Sequence, residues 1–144
     1  MIEVEVSTRG LKFDAVAETL GKELRRELVE RLAELAYAEA FYGAPWKTGK
    51  LARSIVKEVD EYGEAKISVL APYARYVING TSPHEICPVN ASVLAFKAAS
   101  GELVFTKLVR HPGTKPNQFL DEAVEKARGK VGEVFSELFE ELIQ

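Results

Sequence analysis

The sequence predicts an α+β fold in which a mostly antiparallel sheet of about five strands packs with a long N-terminal helix and a C-terminal helix. Apolar residues recur at helical spacing over one long stretch near the start and another at the end, and such a stripe needs something to pack on. Between them lie two pairs of β-rich runs, each joined by a short link containing glycine. Links of that length make hairpins and leave no room for the crossovers that a parallel, doubly wound sheet requires.

The first element is a strand, because Ile2, Val4 and Val6 alternate with Glu3 and Glu5 before Ser7-Thr8-Arg9-Gly10 breaks the pattern. From about Asp14 the positions Val16, Leu20, Leu24, Leu28 and Leu32 recur every four residues, joined by Val29, Leu35 and Ala36. Glu18 with Lys22, Arg26 with Glu30 and Glu27 with Arg31 add i,i+4 pairs on the remaining surface. Gly43 offers a left-handed cap and Pro45 cannot continue the helix. The expected helix has roughly 28 residues and a length of about 40 Å at 1.5 Å per residue. A sheet of short strands does not cover so much apolar stripe, so Leu24, Leu28 and Leu32 are expected to meet another subunit. The stripe is not a strict a/d heptad, which disfavours a long coiled-coil dimer.

Thr48 to Ile55 reads as a helical turn with Thr48 as N-cap. Two β-rich runs follow, 55–60 and 65–70, joined by Glu61-Tyr62-Gly63-Glu64. Pro72 to Gly80 can form about two helical turns ending at the glycine. Residues 81–91, with Pro83 and Pro88 among polar neighbours, read as a loop. A second hairpin pairs 93–98 with 103–109 around Ser100-Gly101, and 111–116 is again a loop. Asn117 caps the last helix, with Asp121 and Glu122 near its positive end. That helix carries its apolar face on Phe119, Leu120, Ala123, Val124, Ala127, Val131, Val134, Phe135, Leu138 and Leu142. Gly129 and Gly132 weaken it by about 1 kcal/mol each and mark either a bend or a close helix-helix approach.

A chain of 144 residues with 47% hydrophobic and 28% charged residues fits one domain, spanning 1–144, with a core of its own. No basic, apolar leader is visible at the start and no apolar run reaches membrane-spanning length, so neither secretion nor membrane insertion is expected. The single cysteine, Cys87, suits a reducing compartment. Few Asn, Gln, Cys and Met beside many Glu, Lys and Arg make the composition thermophile-like, for which sampling in a short chain is the plainer account.

The net charge of −3 is unevenly spread. Residues 1–46 hold 6 basic and 9 acidic side chains, 47–115 hold 10 and 6, and 116–144 hold 3 and 7. A basic middle between acidic ends can steer one subunit toward another, or toward nucleic acid, although a solvated mixture of surface charge is the simpler account.

Sites for chemistry are thin. No phosphate loop, dinucleotide fingerprint, nucleophile elbow or zinc spacing is present. His84, Glu85 and Cys87, with His111, are potential metal ligands, but Pro83 and Pro88 flank them in a loop and the spacing is wrong for a closed tetrahedral site; no metal and no cofactor is expected. Tyr73, Arg75, Tyr76, Lys107, Arg110 and His111 are the raw material for a small α+β ribonuclease toxin. Packing explains them more simply, since Tyr73 and Tyr76 at i,i+3 suit a turn laid on a sheet. Trp46 after Pro45 is likewise expected to be a lid on the core.

Four segments in order carry a resemblance: Thr48-Gly49-Lys50-Leu51-Ala52-Arg53-Ser54-Ile55; Tyr73-Ala74-Arg75-Tyr76-Val77 leading to Gly80-Thr81; His84 to Pro88; and His111-Pro112-Gly113-Thr114 running into Phe119-Leu120. Over about residues 12–127 the chain resembles the tail-completion family of tailed phages, also described as head-tail joining or tail-component proteins. Asn79 departs from that pattern, where the family often has an acidic residue before the Gly-Thr. The resemblance implies a structural virion or prophage protein, assembled in the host cytoplasm, that performs no reaction. Its implied partners are copies of itself, as a ring or dimer, and neighbouring connector or tail proteins, with no sequence-specific nucleic-acid binding. Gly80 and Gly113 would fix loops that neighbouring subunits grip, so Tyr76, Gly80, Thr81, His111 and Gly113 join Leu24, Leu28 and Leu32 as expected interface residues.

Overall fold

A computed structural model describes residues 6–7 and 21–144. The expected strand residues 2–5 and the expected helical residues 14–20 lie outside these. The fold is mixed α+β with antiparallel pairing throughout: β1 (Val6–Ser7), α1 (Lys22–Gly43), α2 (Lys50–Arg53), β2 (Ile55–Val59), β3 (Ala65–Val69), α3 (Ala74–Asn79), β4 (His84–Ile86), β5 (Leu94–Lys97), β6 (Leu103–Thr106), β7 (Val109–His111), α4 (Phe119–Gly129) and α5 (Val131–Leu142).

Helix α1 is 22 residues long, and Gly21 before it is extended at φ −56°, ψ 152°. Its end differs from expectation. Gly43 stays helical, and the turn is made by Ala44 at ψ 138°, since the residue before a proline is pushed out of the helical region. A side chain at position 43 would stand 3.6 Å from the Cβ of Phe119, so the glycine lets the start of α4 lie against the end of α1.

The sheet beneath α1 has three strands in the order β1-β3-β2. Ile55 pairs with Val69 and Val59 with Ala65, as the two β-rich runs predict. Asp60 closes the turn, its Oδ1 accepting the N–H groups of Tyr62 and Glu64 at 3.0 and 2.7 Å. Ile55, Ala65, Ile67 and Val69 are buried. Ile55, Ile67 and Val69 meet Ala36 and Ala40 of α1 and Phe119, Leu120, Ala123 and Ala127 of α4 in the main core, while Ala65 packs with Val29 and Ala33 of α1. The helix faces here are largely alanine, which brings the backbones close and leaves Phe119 and Leu120 to fill the remaining volume.

Two local expectations are corrected. Thr48 does not cap α2; Gly49 stands at that position with φ 70°, and the Trp46 ring lies so close that a Cβ on Gly49 would fall 2.8 Å from it. Trp46 itself stays exposed, edge-on to Phe41, so it covers Gly49 and Phe41 and is not a lid on the core. Asn117 does act as expected at the other end, its Oδ1 accepting the N–H of Phe119 at 3.2 Å, although Gln118 is the N-terminal boundary residue of α4.

The last helix is broken at Lys130, whose φ of −98° and ψ of 4° separate α4 from α5. Gly129 and Gly132 have open space where a Cβ would stand, which selects the bend over a close helix approach. The break lets α5 turn back along α1: Val134 and Leu138 form a second core with Leu28 and Leu32. Arg31 ties the outer edge of this seam by donating to both carboxylate oxygens of Glu141, at 3.1 and 2.6 Å.

The remaining strands form two further sheets of two strands, β4-β7 and β5-β6, in place of the one sheet of about five strands. Residues 81–91, expected as a loop, contain β4. Pro83 sits directly before that strand, where its missing N–H removes no ladder bond. Strand β7 takes only Val109 from the expected run 103–109, extends to His111 of the expected loop 111–116 and pairs with β4, so the two ribbons are nested parts of one long hairpin.

Candidate functional site

From Arg75 to Gln118 no residue is buried. Within this stretch residues 81–114 form a β arm, and its base is a closed crossing. Thr81 and Thr114 exchange backbone hydrogen bonds, each N–H donating to the other's carbonyl at 3.0 Å, while their hydroxyl oxygens lie 3.1 Å apart. Gly80 at φ 71° and Gly113 at φ 85° flank the crossing. A Cβ on Gly113 would stand 2.2 Å from the Thr81 carbonyl oxygen, so the chains approach there more closely than any side chain permits.

Above the crossing, His84 pairs with His111 across β4 and β7, and their rings stack with centroids 5.0 Å apart. The hydrogen-bond partners assign the tautomers. His84 Nδ1 faces the Ser82 carbonyl at 2.9 Å and must donate, whereas His111 Nδ1 accepts the Gly113 N–H at 3.0 Å. Glu85 and Arg110 make an exposed ion pair at the next position. An open groove of about 470 Å³ runs beside the arm base, lined among others by Pro45, Tyr73, Tyr76, His84, His111 and Lys115.

Farther out, residues 87–93 on one side face only residues 107 and 108 on the other, after which β5 and β6 pair Leu94 with Thr106 and Lys97 with Leu103. Opposite residues share a face of a ribbon. One face therefore presents Leu94, Phe96 and Val104, and the other Ala95, Lys97, Leu103 and Phe105. Leu103 is 57% exposed and Phe105 62%. Ile86, Val89, Val93 and Leu108 add further exposed apolar surface.

The structure thus gathers Tyr76, Gly80, Thr81, His111 and Gly113 at the arm base. Leu24, Leu28 and Leu32 are elsewhere. Leu28 and Leu32 are only 2% and 4% exposed, and Leu24 packs beside them, all against the chain's own α5. In this arrangement Leu28 and Leu32 have no free surface for another subunit. The bend at Lys130 turns α5 back along α1, and this covers that part of the stripe with the chain's own Val134 and Leu138.

Of the ribonuclease candidates, Arg75 donates to the Tyr76 hydroxyl and lies over its ring, and Arg110 is held by Glu85. Cys87 is exposed, and among the described residues no three His, Cys, Asp or Glu side chains are placed to hold a metal ion. No helix among them is long and apolar enough to cross a membrane.

Sequence reasoning missed Thr114, the partner of Thr81, and the apolar tip of the arm. Two signals were present. The dipeptide Gly-Thr occurs at both 80–81 and 113–114, and Leu94, Phe96, Leu103, Val104 and Phe105 cannot all share one face of a hairpin. No family model, no curated protein and no solved structure matches the chain.

Proposed function

We propose that the chain is a structural subunit of a tailed-phage or prophage particle, at the head-tail junction or the tail end, working by assembly and without catalysis. The observation that carries this reading is the β arm: a two-stranded ribbon with large apolar side chains on both faces, none of them buried by its own chain. An isolated ribbon is marginally stable in water, and exposed apolar surface of this kind marks a protein contact. Its partners on this reading are copies of itself and neighbouring connector or tail proteins, met in the host cytoplasm where particles assemble. The resemblance in the four segments supplies the particle; the arm supplies the manner of joining.

Particles induced from the genome that encodes the chain provide the test. Antibody against the chain, visualised by electron microscopy, should label the neck or the tail end. Particles purified free of the chain would overturn the proposal. The alternative, a small ribonuclease, rests on the two imidazoles beside Tyr73, Tyr76 and Lys115 along the groove.

A further inference from the structure

We infer that the arm tip of one copy docks on the outer face of α5 of a second copy, through the Leu103–Phe105 face of the β5-β6 ribbon. The inference rests on the reading of the chain as an assembling subunit and names the two surfaces that meet. Helix α5 has a wider apolar arc than its own chain covers. Val134 and Leu138 are spent against α1, whereas Phe139, Leu142 and Ile143 are 49%, 61% and 68% exposed. They follow Phe135, which stacks on Phe139, at the i, i+4, i+7 and i+8 spacing of one continuous stripe.

Charge selects the partner for that stripe. Helix α5 holds Glu133, Glu137, Glu140 and Glu141 and no basic residue. Only Glu141 is in an ion pair among the described residues, with Arg31; Glu140 flanks the exposed stripe. On the arm, the face bearing Leu103 and Phe105 also bears Lys97, and Lys107 stands just beyond Thr106. Neither lysine has a carboxylate partner among the described residues. A ribbon face that joins two exposed apolar side chains to an unpaired cation fits an apolar stripe edged by unpaired carboxylates. A second copy of this chain supplies that stripe.

The contact joins different surfaces on the two copies, so it is heterologous, and it propagates until the copies close into a ring or continue as a chain. That property makes the test decisive. Sedimentation velocity of the full-length protein should show self-association. Phe105→Glu and Leu142→Glu, both at exposed positions, should each weaken it about thirtyfold or more, as loss of an interface anchor does. Each variant retains one intact surface. Mixed together, they should form a dimer and nothing larger, with Phe105→Glu supplying the helix and Leu142→Glu the arm. Phe96→Glu, on the opposite face of the arm, should leave association unchanged.

A mixture that stays monomeric, or a Phe105→Glu variant that associates like the parent, overturns the docking. So does a parent chain that is monomeric at every concentration. In each case antibody labelling of particles still decides the broader reading on its own.

Discussion

The carbonyl oxygen of Thr114 lies 2.4 Å from the point where a Cβ on Gly80 would stand. Gly101, at the arm tip, has a similar φ of 87° but nothing within 4 Å. Alanine at either position suffers about 1–3 kcal/mol of backbone strain. Only at position 80 must the backbone of the crossing also move. Gly80→Ala is therefore expected to lower thermal stability more than Gly101→Ala. It should also speed hydrogen exchange in β4 and β7, and equal effects would show that the crossing is not a tight joint.

Leu28 is packed against Val134 and Leu138 of α5. Leu28→Ala is expected to cost about 2–5 kcal/mol in chemical denaturation, the usual range for a truncated core leucine. Leu28→Glu should unfold the chain, because a carboxylate there has no partner and no water. A folded, smaller species from Leu28→Glu would return this residue to the subunit interface.

Glu141 is held below the ordinary carboxylate range mainly by the hydrogen bonds from Arg31, against a smaller opposing effect of burial. A lowered folded-state pKa means that the pair contributes stability above the ordinary Glu range of about 4.3. That contribution is lost as pH falls through the lowered value. Acid should therefore loosen the end of α5 first, and Glu141→Gln should remove that part of the pH dependence. Because the pair is exposed, salt should weaken the effect. Hydrogen exchange in α5 followed against pH, at low and high salt, reads all three.

Incubation of the purified chain with RNA, single-stranded DNA and double-stranded DNA, with and without divalent metals, is expected to give no cleavage. Elemental analysis of protein purified without added metal is expected to give no stoichiometric zinc. Cleavage abolished by His111→Ala would favour the ribonuclease reading. Stoichiometric zinc would restore His84, Cys87 and His111 as ligand candidates.

The helices and the first hairpin were legible because their signals are local. The four-residue spacing of Leu28, Leu32 and Ala36, and the run from Ile55 to Val69, follow from burial of one face of a single element. What was not legible depends on chain segments far apart in sequence. Nothing near Pro83 announces β4, whose existence depends on Val109–His111 arriving opposite it. Burial of Leu28 likewise depends on a bend a hundred residues later, at Lys130. The interface residues divide the same way. Gly80 and Gly113 were readable as turns, but their meeting at one crossing is a tertiary fact, and the covered state of Leu28 and Leu32 could not be read from their own helix.

Since the ribbon is closed by Thr81 and Thr114, most of the chain entropy lost in ordering its ends is lost at that one point. For a flexible loop, doubling the length between closed ends adds only about 0.6 kcal/mol. Insertions or deletions between residues 87 and 93 should therefore change the reach of the ribbon while leaving the helical core almost unaffected. Distance to a neighbour and stability of the body become separately adjustable, so subunits of different spacing can be built on one unchanged core.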